Sequence, residues 1–221
     1  MIATVDENDL TIADLVHRLG DIPTDRIMLH PAPGTATEKD VIRYLEAPRK
    51  RLCELIDGVL VEKPMGMLEG IFGAWLCRCL WNFVHEVDLG VVFGSDSPIR
   101  FQLGLVRYPD VGFISWARIP DEEMPSDAIG KIIPDLAIEV LSRSNTVAEI
   151  ELKLDHYFEA GVRLAWIIDP KMQTVDVYSS RRRVKHLEAT DELDGGKVLP
   201  GFKLSLAELF SVVNRKRRRT K

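Results

Sequence analysis

Two acids and a lysine near the middle of this chain have the types and spacing for metal-assisted phosphodiester hydrolysis. Asp110 stands in Arg107-Tyr108-Pro109-Asp110, Glu139 in Pro134-Asp135-Leu136-Ala137-Ile138-Glu139-Val140-Leu141-Ser142, and Lys153 follows downstream. Both acids fall in segments that read as short buried strands, where a carboxylate is costly unless a metal ion or a partner compensates it. If the two strands pair, Asp110 and Glu139 could hold one divalent cation through hard oxygen ligands. Such an ion lowers the pKa of bound water and neutralises charge building up on phosphorus, with Lys153 orienting the water or stabilising the transition state. A plainer reading of the same residues is a turn acid, a polar strand position and a solvated helix lysine, because strand acids alone do not identify a metal site.

The elements that would position these groups can be read from periodicity. Strand side chains alternate, so Asp135, Ala137 and Glu139 share one face and Leu136, Ile138 and Val140 the other. Pro109 forfeits a ladder hydrogen bond, which suits a strand beginning at Asp110. A helix is predicted from about 145 to 160, ending at Gly161, with Ser142, Ser144, Asn145 and Thr146 available to cap it. Lys153 and Tyr157 lie four apart on one face of that helix, so both could look into one cleft, where Tyr157 could contact phosphate or pack in the core. A buried strand over 163–168, closed by Asp169-Pro170, follows.

Upstream, Asp57-Gly58 between Leu52–Ile56 and Val59–Glu62 predicts a hairpin. Residues 66–89 read as one long helix whose apolar face carries Leu68, Ile71, Phe72, Trp75, Leu76, Cys79, Leu80 and Phe83, with Gly90 as its terminator. Short strands are predicted near 91–94, 98–103 and 110–115, then an acidic, Pro-containing loop to Gly130, a later hairpin over 174–179 and 183–188, and a last helix at 204–210. Near the N-terminus, Thr11–Asp14 and Thr35–Glu38 have capping-box spacing before two short amphipathic helices. This order suggests an α/β (α+β) fold with a mixed sheet and helices packed on it.

With 221 residues and 46% hydrophobic content, the chain can bury one substantial core. The expected organisation is a helical extension over 1–48, one domain over 49–211 and a basic tail over 212–221. No apolar run approaches membrane-span length and no signal peptide is visible, so no membrane association and a cytoplasmic location are expected. Cys53, Cys77 and Cys79 lack partners at zinc-ligand spacing and read as reduced, mostly buried thiols. The five histidines form no ligand pair, and there is no Gly-x-Ser-x-Gly or phosphate-loop motif, which disfavours serine hydrolase and nucleoside-triphosphatase chemistry. Trp75, Trp81 and Trp166 read as core, leaving Trp116 as the tryptophan to test for nucleic-acid contact. Net charge is -5, yet the last seven residues hold six basic groups, so the body is strongly acidic and repels phosphate unless basic groups or metal ions line the cleft. The tail is either a DNA-contacting arm or a solvated terminus.

Four segments carry a family resemblance: Cys53-Glu54-Leu55-Ile56-Asp57-Gly58 with Val59-Leu60-Val61, then Arg107-Tyr108-Pro109-Asp110-Val111, then Pro134 to Ser142, then Lys153-Leu154-Asp155-His156-Tyr157 through Gly161-Val162 and Trp166-Ile167-Ile168-Asp169-Pro170. In order, and over more than half the chain, they resemble the Uma2 family of candidate restriction endonucleases, a branch of the PD-(D/E)-x-K nuclease superfamily. The resemblance implies a restriction-endonuclease-like fold with a central mixed sheet flanked by helices. It also implies Mg²⁺ or Mn²⁺ on Asp110 and Glu139, DNA as substrate, and a homodimer, because cutting two strands commonly uses two sites. Where the superfamily motif has its lysine this chain has Leu141. Lys153 on the next helix is the natural substitute, and Lys131 the poorer one. Relatives often carry a histidine near the start of the long helix; here Glu69 stands nearby and could serve as an auxiliary acid, as could Asp135, with Glu54 behind the metal ligands. The displaced lysine, absent histidine and acidic body leave room for a catalytically silent nuclease fold with a binding or regulatory role, and for an RNA-directed nuclease.

Overall fold

The computed structural model describes residues 11–64 and 66–213; residues 1–10 and the basic run from 214 onward lie outside the described residues. The chain begins with α1 (Ile12–Arg18), where Thr11 and Asp14 form the reciprocal box anticipated from their spacing. The cap of α2 (Glu38–Leu45) is Thr37 with Asp40, not Thr35 with Glu38. The Thr35 hydroxyl instead donates to the Ala32 carbonyl, and the Ala36 N–H donates to Gly58, so this stretch is held to the hairpin turn and the helix starts later.

The hairpin strands β1 (Cys53–Ile56) and β2 (Val59–Glu62) meet at Asp57 and Gly58, with φ values of 49° and 71°, the positive pair of a primed turn. After α3 (Met67–Glu86) come β3 (Gly90–Gly94), β4 (Ile99–Gln102), β5 (Leu105–Arg107) and β6 (Val111–Ser115). Then follow β7 (Leu136–Val140), α4 (Val147–Ala160), β8 (Leu164–Asp169), β9 (Thr174–Ser180), β10 (Arg183–Leu187), β11 (Glu192–Asp194), β12 (Lys203–Ser205) and α5 (Leu206–Ser211). The strands β5, β11 and β12 were not anticipated; three residues each are too few to show a period.

Two further expectations are corrected. Gly90 does not terminate α3; the helix closes on Val87, whose N–H reaches Phe83 and His85, and Gly90 begins β3. There a Cβ would come within 2.1 Å of the Ile114 carbonyl oxygen on β6, so the close strand contact requires glycine. The buried stripe of α3 is also narrower than predicted, consisting of Phe72, Leu76, Leu80 and Val84, while Leu68, Ile71 and Trp81 are exposed. Trp75, Cys79 and Phe83, also on the predicted face, are partly buried against the same core, so only the Leu68 and Ile71 edge of that face is left to solvent.

A six-stranded sheet runs β10-β9-β8-β7-β6-β3 and a four-stranded sheet runs β2-β1-β5-β4. In the large sheet β7 and β8 pair in parallel through the α4 crossover, and the other neighbours are antiparallel. One face of it, with Val111, Phe113, Leu136, Ile138, Val140 and Trp166, packs on α3 and the C-terminal elements. Its other face meets α4 through Ala137 with Tyr157, and Ala165 and Ile167 with Ile150 and Leu154. The small sheet buries Cys53, Leu55 and Val106 with Val41 of α2, while Ile56, Val59 and Val61 cover Leu19 and Ile22. The N-terminal segment is further tied to α4 by a buried bidentate pair, in which Arg26 donates to both oxygens of Glu149 at 3.0 and 2.7 Å. Among the described residues no helix is long and apolar enough to cross a membrane.

Candidate active site

Strand alternation directs three charged side chains onto α4. In β1, Cys53 and Leu55 face α2, so Glu54 faces the opposite way; in β5, Val106 enters the same core and Arg107 turns to the other side. In β7, Leu136, Ile138 and Val140 join the α3 core, so Glu139 joins Ala137 on the α4 face. The antiparallel register of β6 with β7, Val111 opposite Ile138, sets Asp110 beside Glu139. Backbone bonds lock that register: the Asp110 N–H donates to Ile138 at 2.9 Å, and the Val140 N–H donates to Asp110 Oδ2 at 2.8 Å.

All four carboxylate oxygens of the pair have partners. Lys153 Nζ donates to Glu139 Oε2 at 2.7 Å, and the Tyr157 hydroxyl makes a short bond to Oε1. Lys63 Nζ stands 2.8 Å from Asp110 Oδ1, while Oδ2 takes the Val140 N–H. Lys153 also lies 3.7 Å from Glu54, which accepts from Arg107 at 2.7 Å; Arg107 in turn contacts His156 Nδ1 at 3.0 Å. Glu54, Asp110 and Glu139 are thus balanced by Lys63, Arg107 and Lys153.

The electrostatics follow from burial against this charge pattern. Burial raises the Glu139 carboxyl and nearby Asp110 adds to it, against the pull of Lys153. Burial would depress Lys153, but Glu139, Glu54 and Glu149 outweigh it and hold the ammonium firmly protonated. Burial likewise opposes ionisation of Glu54, yet Lys153 and Arg107 bring it down to about 2. His156 is pushed down to about 4 by burial and by Arg107, and its Nδ1 accepts from Arg107 as a neutral ring does.

A cleft of about 240 Å³ opens beside Asp110, lined by Lys63, Glu69, Asp96 and the glycines at 66, 70 and 73. Glu69 faces it, but its carboxylate folds back over Gly66, where a Cβ would lie 1.8 Å from Oε2. Asp135 is not in this constellation. It sits at the other end of β7, its carboxylate held by Arg118 at 2.6 Å, Arg163 at 2.7 Å and the Ser115 N–H at 2.8 Å. Lys131 is also remote, an exposed side chain paired with Asp127. Trp116 is tied to Asp88 through its indole N–H, and Trp81 is half exposed, not core.

Lys63, Arg107 and His156 are the site residues that the sequence reading missed. Arg107 lies on a three-residue strand too short to show alternation. His156 stands three residues from Lys153, a helical spacing that could have placed it on the same face. Lys63, between a strand end and Pro64, resembles any solvated turn lysine, and no local signal marks it.

Among the described residues no group of three or more His, Cys, Asp or Glu side chains is arranged to hold a metal ion. A divalent cation here would rest on Asp110 and Glu139, completed by backbone carbonyls, water or substrate oxygen.

The mixed sheet, its crossover helix and the paired acids at the ends of β6 and β7 define a restriction-endonuclease-like fold. A crystal structure from Anabaena variabilis ATCC 29413, described as a "putative nuclease belonging to DUF820", matches with a TM-score of 0.67 at 23% identity, covering 78% of this chain and 98% of that one. The chain belongs to the Uma2 family, described as "Putative restriction endonuclease", whose family model matches residues 41–207. No curated protein matches the sequence.

Proposed function

We propose that this chain is a divalent-metal-dependent DNA endonuclease, with Asp110 and Glu139 as the ligands of Mg²⁺ or Mn²⁺. The observation that carries the reading is the β6–β7 register, which brings the two acids together while α4 delivers Lys153 to within 2.7 Å of Glu139. The donor set fits a hard cation, and a positive charge already stands among its oxygens: Lys63 Nζ is 2.8 Å from Asp110 Oδ1 and 2.6 Å from the Tyr108 carbonyl oxygen. When bound, the ion would supply an activated water and charge neutralisation at phosphorus.

The chain's own residues do the rest. Lys153 and Tyr157 fix the two oxygens of Glu139, and Glu54 with Arg107 fixes Lys153, so the acid is preorganised. From there Lys153 acts at the attacking water or the phosphate, in an in-line displacement with no covalent enzyme intermediate. The glycine-lined wall of α3 leaves room for a phosphate beside Asp110, with Glu69 at its rim. Residues 49–211 would form the nuclease domain, with 1–48 as an extension, and cutting of both strands would use a homodimer.

The test is cleavage of supercoiled plasmid in Mn²⁺ and Mg²⁺, beside Glu139→Ala and an EDTA control. Metal-dependent nicking that vanishes in the variant supports the reading; nicking that survives Glu139→Ala rejects these residues. A structured RNA in parallel separates DNA from RNA specificity. The full pairing of all four carboxylate oxygens favours a second reading, a catalytically silent nuclease fold that binds or regulates, and absence of nicking by the intact protein would select it.

A further inference from the structure

Lys63 is a buried ammonium that neither the motif nor the crossover helix explains. Its residue is 7% exposed, and it enters the site from the end of β2 to pair with Asp110. Its Nζ is surrounded by oxygen: Asp110 Oδ1 at 2.8 Å, the Tyr108 carbonyl at 2.6 Å and the Ser95 carbonyl at 3.5 Å. Three hard oxygens around one positive centre is the environment of a bound cation. A lysine fills such a position as a compact point charge on a flexible stem, without the fixed fork by which arginine grips a carboxylate. The cleft into which the stem can swing is the one that Lys63 already lines.

We propose that Lys63 is the site's built-in cation, which holds Asp110 in the metal-free protein and gives up Asp110 Oδ1 when a divalent ion binds. The inference rests on the metal-binding reading above and adds an exchange step to it. Without a metal, Asp110 and Glu139 are adjoining acids, and Lys63 at 2.8 Å from one and Lys153 at 2.7 Å from the other hold both side chains in place. On metal binding the Lys63 ammonium moves into the cleft, where it faces the substrate phosphate. Lys63 is thus a positioning residue in one state and a phosphate contact in the other.

The experiment is Mn²⁺ titration by calorimetry, with metal-free melting curves, on the intact chain and on Lys63→Met, Lys63→Gln and Lys63→Met with Asp110→Asn. Lys63→Met is expected to melt lower without metal and to bind Mn²⁺ at least about tenfold tighter, since a unit charge a few ångströms from the ion has been removed. Lys63→Gln, which keeps a donor for the carbonyls, should fold more readily and show the same direction. Adding Asp110→Asn should recover the metal-free melting temperature and abolish Mn²⁺ binding. If the intact chain binds Mn²⁺ and both Lys63 variants bind it equally or more weakly, the exchange is refuted and the metal site stands. If no protein in the series binds Mn²⁺, the metal reading falls and the exchange with it, whatever the melting curves show.

Discussion

The two ends of β7 carry buried carboxylates on the same face of the same strand, about 13 Å apart along it, and they are built differently. Asp135 is clasped by two arginines and a backbone N–H, with its partners drawn from the loop after β6 and the start of β8. Glu139 is held by a lysine and a tyrosine, next to a second carboxylate that is itself held by a lysine, with a cleft alongside. Both arginines reach Asp135 Oδ1, and Arg118 is itself fixed by the Ile133 and Gly161 carbonyls, whereas an ammonium group is a compact point charge on a flexible stem. Under the proposed exchange, one end is a lock and the other a site whose cation can be replaced, and the choice of partner makes the difference.

The sharpest test of that contrast is cleavage. Under the proposed function, Glu139→Ala is expected to reduce plasmid nicking to background, while Asp135→Asn, where folded, retains it; equal loss in both would erase the distinction. Next in size is Lys153→Met, which leaves Glu139 and Glu54 buried without their shared ammonium and should cost about 3–5 kcal/mol in a urea melt. Part of that loss should return with Mn²⁺, and no such rescue is expected at the Asp135 end.

Acid titration gives the third effect. Glu54 is held at about 2 against an ordinary 4.5, so the folded state keeps it ionised where the unfolded chain takes a proton. Its contribution, on the order of 3 kcal/mol, is full above 4.5 and is lost as pH falls toward 2. His156 has the same sign in a higher window, from 6.5 down to about 4, because its neutral ring is the buried form. Urea melts across these windows should show the lower limb vanish in Glu54→Gln and the upper limb flatten in His156→Asn. The smallest effect is Asp135→Asn, roughly 1–3 kcal/mol, since both arginines it would strand are partly exposed and can reach water. A larger loss would make the lock, not the site, the dominant polar element of the fold.

Much of this architecture was legible in the residues. Thr11 with Asp14, Asp57-Gly58 and the Thr146-to-Gly161 helix are local signals, and each formed where its chemistry placed it. Alternation along Leu136–Val140 was enough to turn Glu139 away from the apolar layer. The narrowed face of α3, by contrast, depends on which stripe the sheet covers, and the role of Gly90 depends on a carbonyl contributed by β6. Neither fact is local to the segment concerned.

For the site, the sequence alone determined that Asp110, Glu139, Lys153 and Tyr157 are of the right types, on elements whose periodicity turns them to usable faces. Only the tertiary structure decided which groups meet. It separated Asp135 from Glu139 at the two ends of one strand, and it brought Lys63 and Arg107 from the small sheet to balance acids on the large sheet and its own strand β1. The physical reason is that a side chain's direction is set by its own backbone, whereas the charge it meets is set by long-range strand register and by the helix wedged between two sheets. No local period encodes those.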